Sequence, residues 1–498
     1  MTGRQTVIRG GLVLDADGRA LPQDILVEDG LIVATEARGF SVSEHAEPVS
    51  ATDRLLIPGL VNSHTHSHGA LNRGGVEDKV SLEMFLTGGG ASTRSRGIDD
   101  KYLSAALSAA EMIRKGCTAC FDLSLEFPAP SVDGISAIGQ AYSDAGMRAV
   151  IAPMIADRTI YQALPGLLDA LPEDLRLRFG SAGAASTETT FEACGQILAN
   201  WRFDRRYIRP ALGPTIPLHC SDDFLAQCVR LSIEHGIPTQ THLAESRAQA
   251  AIGQSRYGMS LLEHLEKLGF LSERLSVAHA IWLNLDDIRR LSAHGVKVAH
   301  NPSSNLRLGS GVAPVRDMLH EGVGVGVGTD ASNTSDGQNM FEAIRLTSYL
   351  SRIEGFASEK WISAGEALSM ATEGSANVLG FEKIGRLAAG YEADIVFLRL
   401  ESPHFVPLRS PLVQMVFGEN GASVDAVMIG GRIVFCDGRL LTLDEAALRR
   451  RAEEAARRLD EANAEIFASG ARVSRLVGAF CAAQGCDMHS PRRKLRIS

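Results

Sequence analysis

The chain has 498 residues, 45% hydrophobic and 22% charged, with a formal charge of -9 and a pI near 5.9. That length allows one large domain or a few smaller ones. The acidic balance argues against nucleic acid as a partner. No apolar run approaches the roughly 18 residues of a membrane span, and "MTGRQTVIRGG" has no signal core, so a soluble cytoplasmic protein is expected. Eight cysteines sit mostly in apolar segments and read as reduced thiols. The pair Cys117 and Cys120 in "GCTACFDL" lacks the second pair that a four-cysteine zinc site needs, since Cys481 and Cys486 are wrongly spaced.

The first elements read as β. "TVIRGGLVLDADG" and "DILVEDGLIVAT" each set an Asp-Gly turn beside apolar strands. The middle of the chain changes character. Eight short apolar runs follow one another, nearly all with helix-like segments after them: "RLLIPGLVNSHTH", "CTACFDL", "RAVIAPM", "RPALGP", "PTQTHLAE", "LSVAHA", "VKVAHNP" and "VGVGVGTD". Alternating strands and helices imply a parallel sheet, and eight units predict an α/β chain folded as a (β/α)8 barrel. An open doubly wound sheet would carry a Gly-rich phosphate turn after its first strand, and none is present. β character returns in "YEADIVFLRL" and "VDAVMIGGRIVFCDG", with Gly430-Gly431 at a hairpin turn. The expected domains are therefore 1–57 (β), 58–385 (barrel), 386–441 (β) and 442–498, a long exposed helix opened by a Thr442/Glu445 capping box and closed by the basic tail "SPRRKLRIS".

In a barrel the chemistry lies at the C-terminal ends of the strands. Ligand-type residues cluster there: His64 and His66 after the first strand, His242 and Glu245 after the fifth, His279 after the sixth and Asp330 after the eighth. Residues two apart on a strand share a face, so His64 and His66 can both point into the mouth. Imidazoles with one carboxylate suit a borderline divalent ion, zinc or alternatively iron. His68 continues the alternation and is either a pocket or a surface histidine.

With "PGLVNSHTH", "THLAE", "AHA", "HNPSSNLRLGSGVAPVRDML", "GTDASNTSDGQNMFE" and "GRLAAGYEADIV", the chain resembles the amidohydrolase superfamily over about residues 5 to 460. The resemblance is to its branch of metal-dependent deaminases and triazine-type hydrolases related to adenosylhomocysteine deaminase. It implies that both terminal β segments join in one small β-sandwich. It implies one metal ion held by His64, His66, His242 and Asp330. Glu245 would move a proton to the substrate ring, and His279 would orient or deprotonate the attacking water. Asn305, in "HNPSSNLRLGSG", is expected among the substrate-binding residues, with His68 and Thr215. A homo-oligomer acting on a small molecule is implied as well.

Two details refine the expectation. Many relatives in the superfamily bind two metals bridged by a carboxylated lysine, and no lysine lies between Lys115 and Lys267, which points to a mononuclear site unless a carboxylate bridges instead. Related nucleoside deaminases carry a Pro-His-x-Pro-Tyr pattern after the fourth strand. Here "GPTIPLHCSDDFL" puts Thr215 in the histidine position and Leu218 in the tyrosine position. His219, farther along, is not expected to substitute, which favours a triazine, pyrimidine or substituted urea over a plain purine nucleoside. "SLEMFLTGGGASTRS" reads as a lid or a plain surface loop. The leading reading is a metal-dependent aminohydrolase that cleaves a carbon–nitrogen bond of a small N-heterocycle. Triazine dechlorination or N-dealkylation and urea or amide hydrolysis use the same water activation. A non-catalytic scaffold on the same fold is the reading from another class.

Overall fold

The computed structural model describes residues 4–483 apart from 16, 89–93, 181–183, 354 and 356. Most of the Gly88–Gly90 run, the basic tail and Cys486 lie outside the described residues.

Eight parallel strands form the barrel: β1 (Leu60–His66), β2 (Cys117–Leu125), β3 (Arg148–Ile155), β4 (Ile208–Pro210 and Gly213–Pro214), β5 (Thr239–Leu243), β6 (Leu275–His279), β7 (Lys297–His300) and β8 (Val325–Val327 and Asp330–Ala331). Neighbours pair in chain order, with a parallel bridge between Leu212 and Thr239 joining β4 to β5. The circle closes where Asp330 and Ala331 pair with Thr65 and His66. The strands are near-continuously buried because one face meets the barrel interior and the other the helices. Val61, Ala119, Phe121, Leu123, Val150 and Ala152 fill the interior.

The crossover helices begin where the sequence offers a cap. Ser131, Ser186, Ser221, Ser246, Ser260 and Asn284 each accept a hydrogen bond from the backbone N–H three residues on. Helix Asp222–His235 stops at Gly236, whose φ of +61° suits a residue without Cβ.

The run "RLLIPGLVNSHTH" holds two strands rather than one. Arg54–Pro58 pairs antiparallel with Ile395–Arg399, and after Gly59 the chain enters β1. Ten strands from both chain ends make one hydrogen-bonded sheet, the β-sandwich, around Ile8, Ile25, Ile32, Leu56, Ile395, Phe397 and Met428. Gly430-Gly431 forms the expected two-residue hairpin turn, and so does Asp29-Gly30. The sandwich is bolted to the barrel by a buried ion network. Arg148, at the start of β3 and fully buried, donates to Asp394 and Glu392, and Arg206 also donates to Glu392.

The C-terminal region differs from its expectation. It forms two helices, Glu445–Ala462 and Ala464–Ala483, that meet at Asn463. Asp444, one residue before the first helix, accepts from Ala447 N–H at 3.0 Å and is the cap. Thr442 instead donates to the Ala145 carbonyl, and Glu445 pairs with Arg114. Neither helix is simply exposed. Leu448, Ala452, Ala455 and Leu459 are buried on the first, and Val473 and Val477 pack with Tyr161, Leu164, Leu167 and Leu171 on the second. No helix among the described residues is long and apolar enough to cross a membrane. Cys117, Cys120, Cys194, Cys220, Cys228 and Cys436 are free thiols, most of them buried.

Candidate metal centre and active site

The strand-end residues converge at the mouth of the barrel. Ring and carboxylate atoms of His64, His66 and His242, and likewise of His64, His279 and Asp330, lie within 4.8 Å of one another. Two of these residues, His279 and Asp330, have φ values of +69° and +61°, a conformation that side chains with a Cβ rarely adopt. Such strain collects at functional sites, where the surrounding fold holds it.

The tautomers follow from the hydrogen bonds. His66 Nδ1 lies 2.7 Å from the Leu123 carbonyl and His242 Nδ1 2.5 Å from the Thr215 carbonyl. A carbonyl only accepts, so both Nδ1 atoms carry the proton. His64 Nδ1 donates to Gln240 Oε1 at 2.7 Å, while the Gln240 amide nitrogen donates to Ser63 O and Ser276 Oγ and so fixes that orientation. His279 Nδ1 donates to Asn305 Oδ1 at 2.8 Å. All four rings therefore turn an Nε2 lone pair inward. His66 and His242 bring these lone pairs to 3.1 Å, and His64 Nε2 is buried without a hydrogen-bond partner. Lone pairs so close repel unless a cation lies between them. This donor set fits a divalent ion, with the second ring nitrogen of each ligand oriented by a protein acceptor.

Electrostatics separate the two carboxylates. Burial alone would raise Asp330, but the imidazoles of His64, His66 and His279 around it hold it well below the usual range. Ser304 Oγ donates to its Oδ2 at 2.5 Å and Ala331 N–H to its Oδ1 at 2.8 Å. Glu245 goes the other way. Burial, then the neighbouring charges of Asp330 and Glu83, push it well above the usual range. His279 Nε2 stands between them, 3.6 Å from Glu245 Oε2 and 4.0 Å from Asp330 Oδ2. Burial lowers His279 and His66 to about 4, so both are neutral near pH 7. A proton acceptor and a proton donor thus flank one spot, the requirement for adding water to a polar double bond.

A cavity of about 360 Å³ opens above this spot, within the ~300–1,000 Å³ typical of small-molecule sites. His66, His68, Thr215, His242, Glu245, His279 and Asp330 line it. Asn305 does not: it stands behind His279 and orients its ring, so its expected contact with substrate is corrected to a positioning role. His68 faces the cavity, and its Nδ1 accepts from Leu125 N–H at 3.3 Å. Leu218 is buried away from the cavity, whereas His219, not expected to contribute, lies on its wall. The sequence reading also missed Gln240, Glu83 and Ile466. Gln240 carries a faint signal, a buried amide two residues before a ligand. Glu83 accepts from Ser246 across the mouth, and Ile466 reaches the cavity from the C-terminal extension.

Residues 55–434 match the Amidohydrolase family, which covers most of the chain. The chain belongs to the amidohydrolase family. It is 32% identical over 461 residues to 5'-deoxyadenosine deaminase of Methanothermobacter thermautotrophicus, an alignment covering 92% of this chain and 100% of that one. It is 32% identical over 462 residues to 5-methylthioadenosine/S-adenosylhomocysteine deaminase of Desulforudis audaxviator, covering 91% and 99%. Among solved structures it resembles an adenosine deaminase from Xanthomonas campestris with bound zinc, with TM-score 0.80, 26% identity and coverage of 92% and 99%. It also resembles the atrazine chlorohydrolase of Arthrobacter aurescens TC1 complexed with zinc, with TM-score 0.79, 26% identity and coverage of 91% and 100%. As an amidohydrolase of this kind the chain is a metal-dependent hydrolase acting on a carbon–nitrogen bond of a small molecule.

Proposed function

We propose that this amidohydrolase deaminates an adenosine-type nucleoside whose 5' position carries a small or apolar substituent. The observation that carries the reading is the pairing of Glu245, held protonated, with Asp330, held ionised, across the converging Nε2 lone pairs. The full-length similarity to 5'-substituted adenosine deaminases supports the purine. The apolar outer wall supports the substituent: Leu82, Phe85, Met154, Ile160, Phe179 and Ile466 offer surface for a methylthio or deoxy group. These relatives and the polar groups of the wall weigh against the smaller substrate that Thr215 suggested.

His64, His66, His242 and Asp330 would hold one divalent ion per chain, zinc in our reading. When bound, such an ion lowers the pKa of a water from 15.7 to about 7. Asp330 accepts the proton of the attacking water as its oxygen bonds to the carbon that bears the amino group. Glu245 gives its proton to the adjacent ring nitrogen, so the ring takes up the electron pair without building negative charge. His279, fixed by Asn305, presents a lone pair toward the water. The carbon–nitrogen bond then breaks: the proton held by Asp330 leaves with the amino group as ammonia, and the new hydroxyl returns a proton to Glu245 as it becomes the carbonyl.

The test is ammonia release by zinc-loaded protein from 5'-deoxyadenosine, 5'-methylthioadenosine, adenosine and S-adenosylhomocysteine, beside aminotriazines, aminopyrimidines, pterins and substituted ureas. Release from the 5'-modified nucleosides, lost in Glu245→Gln, is the expected result. Chloride or alkylamine release from triazines, with no nucleoside turned over, would sink it.

A further inference from the structure

Five histidines line the cavity: His66, His68, His219, His242 and His279. Four have a ring nitrogen engaged by the protein. His219 is different. Among the described residues neither of its ring nitrogens has a hydrogen-bond partner, and the side chain is half-buried on the cavity wall. The turn Pro217–His219 that carries it is held through its backbone. His219 N–H donates to the Ile216 carbonyl at 2.8 Å, and the His219 carbonyl accepts from Arg158 N–H at 3.0 Å. Burial, with the Arg256 charge adding to it, lowers the ring to about 4, so it is neutral near pH 7 and offers one donor and one acceptor. The wall that holds it also carries Met154, Ile155, Ala156 and Ile216, with Arg158, Thr159 and Thr190. An imidazole that lines a cavity with both nitrogens unengaged can hydrogen-bond what enters it. The cavity it lines is a place from which a partner can come.

We propose that His219 is a substrate-contacting residue whose imidazole hydrogen-bonds a heteroatom of the bound nucleoside. Thr215 occupies the position where related nucleoside deaminases carry a histidine, and its side chain is too short to reach as far. The chain thus supplies an imidazole from four residues farther along, on the same cavity wall. The inference rests on the deaminase reading above and adds the residue that recognises the substrate.

The experiment compares His219→Phe, which keeps a ring and removes the hydrogen bond, with His219→Asn, which keeps donor and acceptor. Kinetics use the nucleoside that the wild-type zinc enzyme turns over fastest. Binding of 5'-deoxyadenosine to Glu245→Gln protein, with and without His219→Phe, is measured by calorimetry. We expect His219→Phe to lower kcat/KM about tenfold, mainly through KM, and to weaken binding by the same factor, at unchanged zinc content. His219→Asn recovers most of the loss. If no adenine nucleoside is turned over, the deaminase reading fails, and the same variants are assayed with whichever panel member is turned over. On that substrate, or on the nucleoside, an His219→Phe enzyme within about twofold of wild type overturns the role of His219. So does an Asn variant as impaired as the Phe variant.

Discussion

The inner and outer ends of the cavity are built by opposite means. At the inner end every functional ring is tied to a second residue: His64 to Gln240, His66 to the Leu123 carbonyl, His242 to the Thr215 carbonyl, His279 to Asn305. The groups sit on strand ends, where backbone pairing leaves them little freedom. The outer end is assembled from segments far apart in the chain, including helix Leu82–Thr87, the stretch Met154–Tyr161, the turn Pro217–His219 and helix Ala464–Ala483. Apolar contact rather than hydrogen bonding holds most of it. The difference teaches that, on the proposed reading, chemistry and selectivity are separable: the inner end carries the groups that break a bond, the outer end the surface that selects the molecule.

Substitutions can break this separation or sharpen it. The largest effect is expected from His66→Ala and Asp330→Asn, which remove converging donors; metal analysis should find the ion lost and turnover at background. Metal retained at full occupancy with activity intact would mean that the ligand set is wrong. Glu245→Gln should keep the ion and lower kcat by about 10²–10⁴. An effect on KM alone would remove Glu245 from proton transfer. Gln240→Leu and Asn305→Ala act through the rings they orient and should cost about 10–100-fold in metal affinity or activity. Equilibrium dialysis for the first and kcat for the second measure this, and wild-type values in both would show that the orienting bonds are dispensable. At the outer end, Ile466→Ala should change KM among 5'-substituted nucleosides by about tenfold or less at constant kcat. A fall in kcat there would couple the two ends and end the comparison.

The smallest effect concerns stability. His300 is buried and His219 half-buried, and desolvation lowers them to about 3 and about 4. In the unfolded chain each binds a proton near pH 6.5, so as pH falls the unfolded state takes up protons first. Stability is therefore lost from about pH 6.5 downward. Thermal unfolding of the chelated protein should show Tm decreasing between pH 7 and pH 5; a flat profile would mean that these rings are solvated.

How much of this was legible depends on whether the signal is local. Spacing by two places His64 and His66 on one face, and eight apolar runs announce the barrel, because both are properties of a strand within its own segment. Glu83 carried no signal, since the carboxyl of a short helix is ordinary until folding sets it beside Glu245. Asn305 was assigned to the substrate because it adjoins a motif, and only the packed structure turns it onto His279. The capping residue was displaced from Thr442 to Asp444 because several candidates stand within one turn of the helix start, and the true first residue depends on how the helix docks on Arg114 and Ala145.

The order of residues along the chain decides which strands end in ligands, which helices start at serine, and that no lysine is available to bridge two metals. Those are matters of identity and local periodicity. Which lone pairs converge, which carboxyl keeps its proton, and that a histidine set aside on spacing grounds stands on the cavity wall were decided by tertiary structure. Tautomer, burial and reach depend on neighbours tens to hundreds of residues away, brought into contact only when the barrel closes.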